Sequence, residues 1–172
     1  MLLAQQGDRE AFRRLVDLYD ARLLYFVRRL LGPDDASLDI LQSVWLTVHR
    51  SLWKLKALDA FRVWLYRIAH DCAMTELRRR SKRPILVEDV ETSQAADASG
   101  GEEAAFDNAE LVHVALQKLS VDHRRVLTLY FLEDMSTEEI AEVVACNPGT
   151  VKSRLHYARN ALRRRIEEML HD

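Results

Sequence analysis

The chain has 172 residues, of which 48% are hydrophobic and 30% are charged, and its formal net charge is −2 at pH 7. This is the composition of a soluble globular protein, and the near-neutral charge argues against a protein that holds DNA by bulk electrostatics alone. No apolar run approaches the ~20 residues of a membrane span, and the N-terminus lacks a secretory pattern, so we expect a cytoplasmic protein without membrane insertion. Its two isolated cysteines, Cys72 and Cys146, suit a reducing compartment, lack the spacing of a metal site and are expected to be small buried residues.

The first predicted helix begins at Asp8, which suits an N-cap, and has Glu10 in its first turn, where the helix dipole favours an acid. Apolar residues follow at helical spacing from Phe12 to Leu30, and Gly32-Pro33 ends the run.

A second amphipathic helix is predicted over residues 36–52. Its apolar residues share one side, while Asp39, Gln42 and Ser43 lie elsewhere. This helix therefore has a polar side that is free for a partner.

A third helix is predicted over residues 58–80. Trp64 and Tyr66 lie close to a cluster of arginines, and aromatic groups beside cations bind the unstacked bases of a single strand. We expect Trp64 to pack in the core and Tyr66 to be more open. The alternative for the basic residues at the end is a solvated helix terminus. His70 and Asp71 do not predict a metal site, because neighbours on a helix point in different directions.

The charge then changes sign along the chain. Residues 77–83 contain five cations and no acid, whereas residues 84–110 contain eight acids and no cation. Residues 84–104 also lose helical periodicity, which predicts an acidic flexible linker and a domain boundary. The negative charge either keeps this segment soluble or enters a positive channel on a partner, and the sequence leaves both alternatives open.

Two further helices are predicted over residues 109–119 and 122–132, and no segment has the two-residue alternation of a half-buried strand. The predicted fold class is all-α, with two small helical domains joined by the linker. The N-terminal helical bundle covers residues 1–83, the linker residues 84–104 and the C-terminal helix-turn-helix domain residues 105–172.

Residues 136–165 predict the helix-turn-helix itself. Ser136 and Glu139 have the spacing of a capping box, which marks the start of a short helix. Asn147-Pro148-Gly149 interrupts that helix, and we expect Thr150 to cap the next one.

The second helix of this motif has a basic side. Residues 148–166 include six Lys or Arg and no acid, and Lys152, Ser153, His156, Arg159 and Arg163 lie opposite the apolar residues. Phosphates and major-groove base edges bind such a row of donors. A solvated basic surface is the alternative, but the capping box, the turn and the basic helix together favour DNA binding.

Taken in order, these segments resemble a sigma-70-family RNA polymerase sigma factor of the small extracytoplasmic-function type. Asp39-Ile-Leu-Gln42 is similar to the polymerase-binding helix of that family, and residues 61–69 to its promoter-melting segment. Glu139-Ile-Ala-Glu and residues 149–159 are similar to its promoter-reading helix-turn-helix.

The resemblance implies a subunit that binds core RNA polymerase and promoter DNA, and an anti-sigma factor is a further expected partner. It implies polymerase contacts from Asp39, Gln42 and Ser43. The residues expected at the −35 element are Thr150, Lys152, Ser153, Arg154, His156, Tyr157, Arg159 and Arg163. The residues expected at the −10 element are Trp64, Tyr66, Arg67, His70, Asp71, Arg78, Arg79 and Arg80.

The chain departs from the family pattern at several positions. The family usually has an acid where Ser43 stands, and Asp71 and Glu76 are acids where it has Asn and Arg, so we expect both to repel DNA phosphate. Ala145 stands where Gly is usual in the turn, and a left-handed conformation there costs roughly 1 kcal/mol.

Two other functions fit the sequence less well. A helix-turn-helix regulator that binds DNA independently of polymerase is the main alternative, and it predicts a palindromic site. An enzyme is not expected, because the chain has no Gly-rich phosphate loop, no His-Glu-x-x-His and no paired-cysteine site. No cofactor is expected.

Overall fold

The computed structural model describes residues 1–32, 35–82 and 111–171. The linker predicted at residues 84–104 lies outside the described residues, so the division of the chain into domains stays a prediction. Within the described ranges the chain forms helices and turns and no strand, which confirms the all-α prediction.

The N-terminal half is a bundle of three long helices. Its elements are α1 (Leu2–Gln5), α2 (Arg9–Leu31), α3 (Ala36–Ser51), a short 3-10 helix (Leu52–Lys54) and α4 (Phe61–Lys82). The prediction for the start of α2 is confirmed, because the Asp8 carboxylate accepts a hydrogen bond of 2.7 Å from the backbone N–H of Ala11. The helix ends at Gly32, whose φ of 101° lies in the region that favours glycine.

Residues 111–171, the described part of the C-terminal half, contain four helices. They are the helical residues 111–117, called α5 here, then α6 (Val121–Phe131), α7 (Thr137–Val144) and α8 (Pro148–His171). Ser120 caps α6 by accepting a hydrogen bond from the N–H of His123. Val151, Leu155 and Ala158 of α8 are buried, as their spacing predicts.

The two halves pack against each other and share a continuous hydrophobic core. Helix α4 contacts α7, and α2 contacts α6. Arginines on the first half bind the segment between α6 and α7: Arg22 forms an ion pair of 3.0 Å with Glu133, and Arg62 donates to the backbone carbonyl of Glu133 over 2.7 Å. Arg62 also forms an ion pair of 3.0 Å with Glu139. We call this packing of α2 and α4 on α6 and α7 the closed arrangement.

Candidate nucleic-acid interface

The first helix of the helix-turn-helix, α7, begins with the predicted capping box. The Ser136 hydroxyl accepts from the Glu139 N–H over 3.1 Å, and the Glu139 carboxylate accepts from the Ser136 N–H over 2.8 Å. Two backbone donors that the first turn leaves without helical partners are thereby satisfied. The capping box fixes where α7 starts and therefore how the following turn is presented.

The turn after α7 depends on Ala145, which has φ 53° and ψ 53°. This left-handed conformation confirms the expectation drawn from the missing glycine, and it costs roughly 1 kcal/mol for a residue with a Cβ atom. The Cys146 N–H donates to the Ala141 carbonyl over 3.0 Å and so closes the end of α7.

The expectation that Thr150 caps α8 is wrong. The helix begins at Pro148, and the Asn147 side chain accepts a hydrogen bond of 2.9 Å from the Gly149 N–H. Proline favours the first helical position, because its missing N–H would have no helical partner there and its φ already suits the helix. Thr150 is a half-buried residue of the first turn.

The side of α8 opposite its buried residues is exposed to solvent, and we call it the α8 surface. Its exposed members from the predicted −35 set are Lys152, Ser153, His156, Tyr157, Arg159 and Arg163. The Lys152 ammonium lies 3.9 Å from the Glu138 carboxylate, but both side chains are largely exposed, so their attraction is weak. The α8 surface therefore offers cations and hydrogen-bonding groups to a partner.

Two residues of the α8 surface were missed by the sequence analysis. Asn160 and Arg164 are exposed and follow His156 at intervals of four residues, which places them near the same side of the helix. The amide of Asn160 lies 3.2 Å from the His156 imidazole. Continuing the helical spacing beyond His156 would have found both.

Arg154, also in the predicted −35 set, is turned away from the α8 surface. Its guanidinium lies 3.9 Å from the Asp122 carboxylate and 3.8 Å from the Cys146 sulfur. Here the side chain joins α8 to α6 and to the turn.

Arg159 is positioned by two aromatic rings at the end of α6. Its guanidinium carbon lies 5.0 Å from the centre of the Tyr130 ring and 5.1 Å from that of Phe131. Cation–π attraction restricts the side chain at these distances. A restricted cation loses less conformational entropy when it binds an anion.

On α4, the predicted −10 residues divide into exposed and buried groups. Arg67, Asp71, Arg78 and Arg79 are exposed, whereas Trp64 and Arg80 are partly buried. Trp64 packs against the core beside Phe61, as expected.

The expectation that Tyr66 is open is wrong. Its side chain is fully buried and contacts the Phe26 ring edge-on, with ring centres 5.4 Å apart. Burial, and then the nearby Glu133 carboxylate, raise the pKa of Tyr66. Its hydroxyl lies near Glu133, the residue that Arg22 and Arg62 bind from the first half. The helical spacing of apolar residues in α4 does not predict a contact with a residue so far along the chain.

His70 is also buried and therefore does not reach the surface of the closed arrangement. Its ring lies 3.2 Å from the Asp71 carboxylate and 2.9 Å from the Arg125 guanidinium. Burial lowers the pKa of His70, the hydrogen bond to Asp71 partly opposes this shift, and the positive charge of Arg125 adds to it.

The expectation that Glu76 repels DNA phosphate is also wrong for this arrangement. The carboxylate of Glu76 is buried and forms ion pairs with Arg79 at 2.6 Å and with Arg80 at 3.0 Å. Hydrogen bonds from Arg79, and then from Arg80, lower the pKa of Glu76 to about 2. Arg79 and Arg80 follow Glu76 by three and four residues, a spacing that places both guanidinium groups beside its carboxylate.

The residues predicted to bind polymerase lie together on α3. Asp39, Gln42 and Ser43 are all exposed, and the Ser43 hydroxyl donates to the Asp39 carbonyl over 2.9 Å. Leu46, an exposed apolar residue of the same helix that was not predicted, lies one turn after Ser43. Their surface combines hydrogen-bonding groups with apolar area, as protein interfaces do.

Neither a metal group nor a membrane span is found where the structure describes the chain. Among residues 1–32, 35–82 and 111–171, no group of His, Cys, Asp or Glu is placed to hold a metal ion. No helix of those same ranges is long and apolar enough to cross a bilayer. Cys72 and Cys146 are free thiols that pack against the hydrophobic core, and both are half-buried, so the expectation that they are buried holds in part.

A capped helix-turn-helix with a basic second helix defines a helical protein of the helix-turn-helix DNA-binding class. Comparison with known families makes this more specific. The family model for sigma-70 region 2 matches residues 15–83, and that for sigma-70, region 4, matches residues 109–162.

Known proteins align along nearly the whole chain. The RNA polymerase sigma-H factor of Pseudomonas aeruginosa is 34% identical, with 98% of this chain and 92% of the relative covered. The ECF RNA polymerase sigma-E factor of Haemophilus influenzae is 31% identical, with 96% and 93% covered. The chain therefore belongs to the sigma-70 family of RNA polymerase sigma factors, in its extracytoplasmic-function (ECF) group.

Two solved structures share the fold. CnrH in complex with the cytosolic domain of CnrY has a TM-score of 0.71 at 23% identity, covering 97% of this chain and 94% of that one. The sigma factor RpoE in complex with the anti-sigma factor NepR from Bartonella quintana has a TM-score of 0.73 at 22% identity, covering 92% and 98%.

Proposed function

We propose that this chain binds core RNA polymerase, directs promoter-specific transcription initiation and reads the −35 element with the α8 surface. The observation that carries the −35 assignment is the exposed row of cations and hydrogen-bonding groups on α8, behind a capped α7. In helix-turn-helix proteins the N-terminal part of the second helix contacts base edges. Lys152, Ser153 and His156 therefore lie nearest the bases, and Arg163 lies further along, where phosphate contacts position the protein.

The −10 element is assigned to α4. Arg67, Arg78 and Arg79 are exposed on this helix, which also carries the partly accessible ring of Trp64. Cations beside an aromatic ring favour single-stranded DNA, which a melted −10 element provides. His70 takes part only if the two halves separate, because Arg125 of the second half covers it. Tyr66 is buried against Phe26 within the first half and is therefore not assigned to the −10 element.

Core polymerase is assigned to the exposed side of α3. Asp39, Gln42 and Ser43 supply hydrogen-bonding groups there, and Leu46 adds apolar area that water does not solvate well. This surface lies on a different helix from both DNA assignments, so one molecule has room for polymerase and promoter together.

We further propose an anti-sigma partner and a cytoplasmic location. The RpoE structure with the same fold is a complex with an anti-sigma factor, which supports the first proposal. The bacterial relatives are named as RNA polymerase factors, and transcription takes place in the bacterial cytoplasm, which supports the second.

The test is run-off transcription with bacterial core polymerase, the purified chain and a library of promoter templates. We expect defined transcripts only when polymerase and chain are both present. Binding to a palindromic site in a gel shift, with no need for polymerase and no transcript, would instead establish the helix-turn-helix regulator.

Variants with one charge removed make the test specific for the α8 surface. Lys152→Ala should reduce transcript yield while the chain still co-purifies with core polymerase. Arg13→Ala, which removes an exposed cation of α2, is the matched control and should leave the yield unchanged. Equal yields from the two variants would count against the −35 assignment.

A further inference from the structure

The closed arrangement includes a buried contact between two basic side chains. His70 on α4 and Arg125 on α6 are both buried, and the Arg125 Nη1 atom lies 2.9 Å from the His70 Nε2 atom. Arginine has only donors and stays protonated, so it cannot accept a hydrogen bond. The His70 Nε2 atom must therefore be the acceptor, and it carries no proton.

The contact of the other ring nitrogen shows where the remaining proton of the imidazole lies. The His70 Nδ1 atom lies 3.2 Å from a carboxylate oxygen of Asp71, and a carboxylate is an acceptor. The proton of the neutral imidazole therefore lies on Nδ1 and is donated to Asp71. This tautomer satisfies both contacts, whereas a doubly protonated ring would point an N–H group at the Arg125 guanidinium.

The surrounding charges offset such a proton only in part. The hydrogen bond to Asp71 raises the pKa of His70, but burial and the positive charge of Arg125 outweigh it. Asp71 is two-thirds exposed and screened by solvent, and Asp122, which forms an ion pair of 2.7 Å with Arg125, is half exposed. Other charged groups lie on the helices around the contact. They are Arg78 on α4, Arg154 on α8, and Glu138 and Glu142 on α7. The two glutamates line a cleft together with Arg67 of α4.

The closed arrangement also has an ion pair that persists in mild acid. The backbone N–H of Ser136 lowers the pKa of Glu139, with a smaller contribution from Arg62, so the Arg62–Glu139 pair stays ionised at about pH 5.5. His70 thus changes its charge in this range while it touches a buried cation across the two halves.

We propose that the His70–Arg125 contact makes the closed arrangement sensitive to protons: neutral His70 holds α4 against α6, and protonated His70 drives them apart. Opening exposes His70, which the closed arrangement buries against Arg125. This inference rests on the proposed function, in which α4 binds the −10 element. The closed state then covers part of the −10 surface, and acidification exposes it.

The direction of the pH effect follows from linkage. Burial, with a smaller contribution from Arg125, lowers the pKa of His70 in the closed state despite the opposing hydrogen bond to Asp71, so the open state binds more protons below the ordinary pKa of about 6.5. The contribution of His70 to closure is complete above that pH and is lost as the pH falls toward the closed-state pKa. The equilibrium constant for opening rises by up to about tenfold per pH unit in this window.

Small-angle X-ray scattering of the whole chain between about pH 7.5 and pH 5.5 tests the proposal. We expect the radius of gyration of the wild type to increase as the pH falls below about 6.5, with helical circular dichroism unchanged. His70→Gln keeps an uncharged acceptor for Arg125 and should remain compact throughout. His171→Gln, at the exposed end of α8, is the matched control and should expand like the wild type.

The proposal is overturned if the wild type keeps its radius of gyration across the range, or if His70→Gln expands as much as the wild type does. His70→Lys provides an independent check, because a permanent charge should open the chain even at about pH 7.5. These measurements use neither polymerase nor DNA, so a negative result here leaves the transcription experiment unaffected, and the reverse also holds.

Discussion

Single side chains in this sigma factor have roles that depend on their immediate partners more than on their residue type. Arg159 and Arg154 both lie on the basic helix, but one is positioned at the surface by aromatic rings and the other binds Asp122. Their sequence spacing identifies the helix and its charge. It does not show which guanidinium remains available, because that depends on contacts with α6.

Arg159→Ala should lower promoter affinity roughly tenfold while polymerase binding is retained, because one cation of the α8 surface is removed. The slope of log affinity against log salt should fall by about one, as expected for the loss of a phosphate contact. Binding of the polymerase-bound chain to fluorescent promoter DNA at several salt concentrations measures both effects.

Arg165→Ala is the control for that measurement, since Arg165 pairs with Glu168 on another side of the same helix. Loss of polymerase binding together with DNA binding, or no effect of Arg159→Ala at all, would contradict the role given to Arg159.

Glu76→Gln should reduce stability near neutral pH by about 1 kcal/mol, because it weakens ion pairs with Arg79 and Arg80 that are partly exposed. The folded-state pKa of Glu76 is about 2, below its ordinary value, so this stabilisation is present above about pH 4.5 and is lost toward pH 2. Urea unfolding at about pH 7 and pH 3 should show a smaller difference between wild type and variant at the lower pH. An equal difference at both would exclude the ion pairs as the cause.

At the scale of helices, most of the fold can be predicted from the sequence. Apolar periodicity and capping residues predict α2, α3 and α6 to within a few residues, and the Ser136–Glu139 capping box is confirmed in detail. The start of α8 was predicted less well. Asn147, Pro148 and Thr150 are all compatible with a helix start, and only the backbone geometry decides among them.

Ala145→Gly should stabilise the chain by about 0.5–1 kcal/mol, because glycine adopts the left-handed conformation without the steric cost of a Cβ atom. Thermal unfolding monitored by circular dichroism measures the change. Ala161→Gly, in the middle of α8, is the matched control and should destabilise by a similar amount, since glycine is a poor helix former. A destabilised Ala145→Gly variant would show that the turn is not strained.

At the scale of the whole molecule, the sequence predicts the parts but not how they meet. The contacts of Arg62 with Glu139 and of His70 with Arg125 join residues 77 and 55 positions apart. Helical periodicity carries no information about such pairs, so the burial of Tyr66 and His70 could not be predicted from it. The family match and the exposed surfaces of α3, α4 and α8 together favour a molecule that uses both halves on one promoter.

That use of both halves is tested most directly by run-off transcription from a selected promoter in which the spacing between the −35 and −10 elements is varied. We predict strong transcription at the selected spacing and its loss when about 5 base pairs, half a helical turn, are inserted, because the two elements then lie on opposite sides of the DNA. Undiminished transcription from the lengthened promoter would contradict the account.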